Sequence, residues 1–304
     1  MNSLNKSSNT TAPPVGTAFK QPTVLAPALR YSYRNGEIAT YDTGKTEKQL
    51  LTYLLDTEEL KSLHPTGTVL QGTLNYNFVL SDPDGNLYVW RAPKEHPQIK
   101  PIIHQDLIGT GFLINGGSYR YRTIREQVNF MTEACRLHLQ NVEAITTNAF
   151  GTLLPFIQGT PYDNYLRQGG IEATKNVLDN IVTAHKHNIV YGDRWTKNTI
   201  IKPDEGIVEI DFDIELRGEI AQEFEMAQLL YHILFFSSQR EKMLDFLKSY
   251  LQINQTALAG HDFFMVRKFL SNYANYFQDK IVEGIAGGIE QEIAELIKIL
   301  LCLF

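Results

Sequence analysis

Apolar positions change their spacing twice along the chain. Over residues 46–63, Leu50, Leu51, Tyr53, Leu54, Leu55 and Leu60 recur near a 3.6-residue period, which predicts a helix. From Thr66 the period changes. Residues 68–70, 76–80 and 87–91 read as three short strands, and Ser81-Asp82-Pro83-Asp84-Gly85-Asn86 reads as the turn between the last two. Residues 92–117, interrupted by Gly109, Gly111, Gly116 and Gly117, read as a loop, and residues 118–140 as one long helix. Two more strands follow at 145–147 and 152–157, divided by Asn148-Ala149-Phe150-Gly151. Beyond Gly159 the helical period dominates, over 171–187 and nearly everything after Ala221, interrupted by a short hairpin near 199–210. The expected fold class is α+β: a strand-rich first part with one long helix, then a mainly helical part, hinged near Gln158-Gly159.

Length fits this division, since 304 residues suit about two domains or one bilobed unit. Residues 1–36 contain no Asp or Glu and carry Pro13, Pro14, Pro22 and Pro27, so they read as a flexible arm, with residues 37–65 as a helical extension. The formal net charge of −6 argues against a nucleic-acid partner, because phosphate contacts need a basic face. No apolar run is long enough to span a membrane, and Cys135 and Cys302 form no metal or disulfide pattern. A cytoplasmic protein is expected. Residues 285–304 read as an amphipathic terminal core helix. His185 and His187, two apart at a helix end, read as solvated side chains.

The stretch with chemical content runs from Ile189 to Asp213. Residues 199–202 and 207–210 are two four-residue strands joined by Pro203-Asp204-Glu205-Gly206. A hairpin with equal arms brings its outer ends together, here Asn198 and Asp211, and Asp193 lies in the loop that feeds it. The three side chains are therefore expected to converge. A carboxylate beside an amide oxygen suits Mg²⁺, a hard cation that keeps several waters. A further carboxylate, uncommitted to metal, can orient an attacking hydroxyl. The plainer alternative is that these residues cap a turn.

Asp193-x4-Asn198, the hairpin and Ile210-Asp211-Phe212 resemble the catalytic loop and metal motif of the protein-kinase-like superfamily. Tyr191-Gly192-Asp193 is similar to the His-Gly-Asp of its small-molecule branch (aminoglycoside and choline kinases) and of the Bud32-like and lipopolysaccharide-kinase branches. The resemblance implies a two-lobed protein-kinase-like fold, with a small antiparallel-sheet N-lobe over residues 66–158 and a helical C-lobe over 159–304. It implies ATP and Mg²⁺, with Asp193 as catalytic base and Asn198 and Asp211 as Mg²⁺ ligands. Gly72, Thr73 and Asn75 resemble a shortened phosphate loop. Arg91 stands where the family keeps its phosphate-pairing lysine, with Lys94 nearby. Glu126 or Glu133 on the long helix is expected to orient that cation, and the backbone of Phe156 or Ile157 to meet adenine. Tyr191 and Asp213 depart from the usual histidine and glycine.

The metal motif is followed within about a dozen residues by Phe224-Glu225-Met226-Ala227, which starts a helix without an Ala-Pro-Glu anchor or a long loop. A compact acceptor, a small-molecule or sugar hydroxyl, is expected. An atypical Ser/Thr protein kinase and a non-catalytic pseudokinase module are the alternatives. Glu225 either links to the catalytic loop or simply suits the helix dipole. Trp195 and Lys197, inside the loop, are candidates for stacking and phosphate contact against a packing role.

Overall fold

A computed structural model of the chain describes residues 60–70, 72, 74–94, 99–254, 258, 261–284 and 288–304. The predicted arm at 1–36, most of the helix predicted at 46–63, and Thr73 lie outside the described residues.

The first lobe is a five-stranded antiparallel sheet in the order β1-β2-β3-β6-β5. Its strands are β1 (His64–Leu70), β2 (Asn75–Ser81), β3 (Leu87–Pro93), β5 (Thr146–Thr147) and β6 (Thr152–Pro155). The turn from β2 to β3 closes as the sequence requires: Asp82 accepts from the Asn86 backbone and side chain, and Gly85 takes φ 84°. Phe78, Leu80, Trp90, Ala92 and Leu153 bury a small core on one face, which Leu60 and Leu63 complete.

Two differences from the sequence reading concern the segment between β3 and β5. Residues 92–117 are not all loop, since α1 (Ile99–Gly109) forms there and ends at the first of the glycines. Nor does a helix start at residue 118. Ser118–Tyr121 is strand β4, and α2 runs Ile124–Arg136. The capping box explains the later start. Thr123 accepts from the Glu126 N–H, and the Glu126 carboxylate accepts from the Thr123 N–H.

The second lobe is mainly helical. After β7 (Thr160–Pro161) come α3 (Tyr162–Arg167), α4 (Thr174–Lys186), a 3-10 turn (Thr196–Asn198), and strands β8 (Thr199–Ile201), β9 (Ile207–Glu209) and β10 (Ile214–Arg217). Helices α5 (Ala221–Phe236), α6 (Arg240–Ile253), α7 (Phe264–Val282) and α8 (Gly288–Leu301) complete it. The α5 helix is apolar on nearly all sides and buried over almost its whole length, packed against α3, α6, α7 and α8. On α8, Ile293, Ala294, Leu296, Ile297 and Leu300 are buried, the terminal core helix the amphipathic pattern predicts. The protein is thus a two-lobed α+β structure. Strand β4, early in sequence, pairs antiparallel with β10 and ties the lobes together. No helix among the described residues is long and apolar enough to cross a membrane.

Candidate active site

The loop from Ile189 to Asn198 turns sharply at Gly192. Its φ is 119°, and a Cβ there would lie 2.0 Å from the carbonyl oxygen of Ile214, so only glycine fits. The turn presents Asp193. Gln228 Nε2 donates to Asp193 Oδ1 at 3.1 Å, and Asn198 Nδ2 donates to the Asp193 carbonyl at 3.1 Å. Burial raises the Asp193 carboxyl to about 6, while Gln228 and Lys197 pull the other way.

Asn198 begins the hairpin. β8 and β9 pair Thr199 with Glu209 and Ile201 with Ile207, and the Ile210 N–H donates to the Asn198 carbonyl at 2.8 Å. The ladder therefore delivers Asp211 next to Asn198. Asp211 itself adopts φ 69°, a left-handed conformation rare outside glycine that is tolerated by Asp. Phe212 is fully buried, 5.1 Å from the ring of Phe130 and 5.9 Å from that of Tyr191. Tyr191, standing where the resemblance expects histidine, is a packing residue whose hydroxyl accepts from Asn180 Nδ2 at 3.0 Å. Asp193, Asn198, Asp211 and Asp213 all line one cavity between the lobes, together with Lys197 and Trp195.

Arg91, on β3, meets two of the acidic side chains that line this cavity. Its Nη2 lies 2.5 Å from Asp211 Oδ1 and 2.7 Å from Asp213 Oδ2. Asn75, at the start of β2, donates to Asp213 Oδ2 at 2.6 Å, so it holds an acidic side chain instead of belonging to an open loop. Burial opposes the charge on Asp211, but Arg91 outweighs it and holds the group at about 2. Burial raises Asp213 to about 7, and the neighbouring Asp211 acts in the same direction despite Arg91. Gly72 sits so close to Asn75 and Asn77 that a Cβ would come within 2.5 Å of both, and its carbonyl accepts from Lys94 Nζ at 2.6 Å.

Three expectations change. Neither helix glutamate meets Arg91. The Glu126 carboxylate is taken by the Thr123 backbone and hydroxyl and by Arg120 Nη1 at 2.6 Å, contacts that lower it to about 2. Glu133 is an exposed residue facing Arg136. The reason is the helix start: beginning at residue 124, α2 places Glu126 in its first turn, where the backbone claims it. The Phe156 N–H donates to the Leu87 carbonyl and extends the sheet, so of the two hinge amides only that of Ile157 lies beyond this pairing. His185 is not solvated. It is buried, with Nε2 2.7 Å from Glu225 Oε2, while His187 is exposed as expected.

Glu225 also accepts from the Gly192 N–H at 2.8 Å, which makes the link from α5 to the loop. Arg194, in that loop, forms a buried ion pair with Glu209 at 2.5 Å. Trp195 stacks on His232, with centroids 4.6 Å apart and planes 27° off parallel. Sequence reasoning missed Arg122. Its guanidinium donates to the carbonyls of Val190, Tyr191, Phe212 and Ile214 at 2.9 to 3.3 Å and lies over the ring of Phe130. It thereby fastens the segment before Asp193 to the segment around Asp211. The signal available was the Thr123-x-x-Glu126 capping box, which starts the helix after Thr123 and leaves Arg122 between strand and helix.

Asn198 and Asp211, the latter with Oδ1 held by Arg91, are the residues here that could hold a hard divalent cation. Asn198 turns its amide hydrogens to the Asp193 carbonyl, which leaves its oxygen facing the other way, and both it and Asp211 line the cavity. Among the described residues, no group of three or more His, Cys, Asp or Glu side chains could hold a metal ion. The pair Asn198 and Asp211 thus offers two protein oxygens, a number suited to Mg²⁺ with its waters.

No protein-family model matches the chain, and no curated protein sequence matches it. Among the solved structures that match is the complex of Rv3197 with erythromycin, from Mycobacterium tuberculosis. It is 13% identical, with a TM-score of 0.33, and the match covers 55% of this chain and 51% of that one. The chain thus aligns with about half the length of that protein.

Proposed function

We propose that the chain is an ATP- and Mg²⁺-dependent phosphotransferase of the protein-kinase-like type, with a small-molecule hydroxyl as acceptor. The observation that carries this reading is the convergence of Asp193, Asn198 and Asp211 on one cavity, with Arg91 of β3 bonded to Asp211. Asn198 and Asp211 would hold the cation, which when bound offsets the phosphate charge.

The chain's own residues then have defined tasks. Asp193, fixed by Gln228 and by the Gly192 turn, accepts the proton of the attacking hydroxyl. Arg91, which holds two carboxylates through Nη2 alone, would offer its remaining guanidinium donors to phosphate oxygens. Arg122 and Glu225 keep the two loops in register, so catalysis rests mainly on positioning. A protein acceptor is the weaker reading, because α1 walls the cavity on the side of the helical lobe.

The test is transfer of the γ-phosphate from ATP with Mg²⁺, measured for the wild type, Asp193→Ala and Asp211→Ala. Turnover in the wild type and its loss in both variants are expected. A folded wild type that neither binds nor turns over ATP would overturn the reading.

A further inference from the structure

A buried guanidinium is costly without a fixed carboxylate, and Arg91 has two. Its Nη2 lies 2.5 Å from Asp211 Oδ1 and 2.7 Å from Asp213 Oδ2. The two carboxylates differ in what else they can do. The Asp211 side chain is 38% exposed and that of Asp213 only 8%, so Asp211 is the one a ligand in the cavity reaches more readily.

Asp213 is fastened from two directions. Its carbonyl accepts from the Arg122 N–H at 2.7 Å, which continues the β4–β10 ladder. Its Oδ2 accepts from Asn75 Nδ2 at 2.6 Å, and Asn75 is itself buried. Asn75 of β2 and Arg91 of β3 thus converge on one oxygen of a residue that the ladder holds in place.

In the proposed reaction Asp211 is a cation ligand, and the Oδ1 that Arg91 holds must then be shared or given up. With Asp211 as its sole partner, Arg91 would either stay on the metal ligand or leave the site on its flexible stem. The helix glutamates are committed elsewhere. Glu126 is held by Thr123 and Arg120, and Glu133 is exposed beside Arg136. From this geometry we infer that Asp213 is the positioning residue for Arg91. It retains the guanidinium when Asp211 passes to the cation, so that the other donors of Arg91 meet the nucleotide phosphates. The inference rests on the phosphotransferase reading. Asp213 touches no reacting atom and acts through Arg91.

The test uses the full chain. A fluorescent ATP analogue is titrated with Mg²⁺ in excess, and Mg²⁺ is then titrated at fixed nucleotide. No binding by the folded wild type overturns the phosphotransferase reading and this inference with it. With wild-type binding established, Asp213→Asn, Arg91→Gln and the double variant are compared, once thermal melts show each to be folded. Each single variant is expected to lose about tenfold or more in affinity, the scale of one hydrogen bond to a charged group. The double variant is expected to lose no more than about threefold beyond Arg91→Gln, because coupled residues are not additive. In Asp213→Asn the Mg²⁺ midpoint is expected to rise several-fold, since Arg91 then rests on Asp211 alone. A residue that only supported the fold would leave the midpoint in place and add its loss to that of Arg91→Gln. Glu126→Gln, which keeps the capping box, and Glu133→Gln are expected to bind like the wild type. Where Asp213→Asn does not fold, Asp213→Ser replaces it with the same expectations. Wild-type affinity in the Asp213 variant overturns the inference while leaving the nucleotide result standing. So do losses that add in the double variant, an unmoved Mg²⁺ midpoint, or a loss in either helix variant as large as that in Arg91→Gln.

Discussion

Arg122 touches no reacting group in the proposed chemistry, yet its guanidinium satisfies four backbone carbonyls on two loops. Burial lowers it to about 10, and its nearest carboxylate, Glu215, stands 4.0 Å away. The fork is what matters, because the carbonyls of Val190 and Ile214 lie on separate segments that a compact ammonium cannot span together. Arg122→Lys is therefore expected to lose about 2–4 kcal/mol in a urea melt, the cost of two or more buried carbonyls left unpaired. Wild-type stability in that variant would contradict the clamp. Asp193, Asn198 and Asp211 were legible in the sequence because a short hairpin of local pairing brings them together. Arg122, and Asn75 on Asp213, were not, since those contacts bridge distant segments whose approach no local pattern encodes.

At the level of elements, helix α2 and helix α5 decide the site. The start of α2 is fixed by the Thr123 and Glu126 box, and the sequence reading placed it too early by treating residues 118–121 as helical. Thr123→Ala is expected to cost about 1 kcal/mol by thermal melt, and an unaltered melt would mean that the box does not set the boundary. Likewise α1 was hidden by the glycine cluster that follows it, although Ile103 and Leu107 stand one helical turn apart.

Helix α5 supports the loop of Gly192, Asp193 and Arg194 through Glu225, Gln228 and His232. Burial depresses His232 from 6.5 to about 4. A histidine kept neutral in the folded state contributes its full stability above the unfolded value and loses it as pH falls through that window. Unfolding free energy is thus expected to drop by about 1.4 kcal/mol per pH unit from His232 between roughly 6.5 and 4. His232→Asn should flatten that part of the profile. An equally steep profile in the variant would assign the slope to other groups. Glu225→Ala strands the Gly192 N–H and His185, and is expected to cost about 2–4 kcal/mol.

Across the whole molecule, the division into a sheet lobe and a helical lobe was legible from the change of hydrophobic period. The connection that crosses back was not legible. β4 comes from the sheet-rich half of the sequence and pairs with β10 of the helical half, and strand partners so far apart leave no mark in either segment alone. That crossing carries α1 to the cavity and makes the site a property of both lobes. The proposed function requires that the cavity bind nucleotide through a cation held by Asn198 and Asp211. Calorimetric titration of ATP with and without Mg²⁺, in wild type and Asp211→Ala, tests it most directly. Binding is expected to need Mg²⁺ and to weaken at least tenfold in Asp211→Ala. Affinity equal with and without Mg²⁺, and unchanged in that variant, would contradict it.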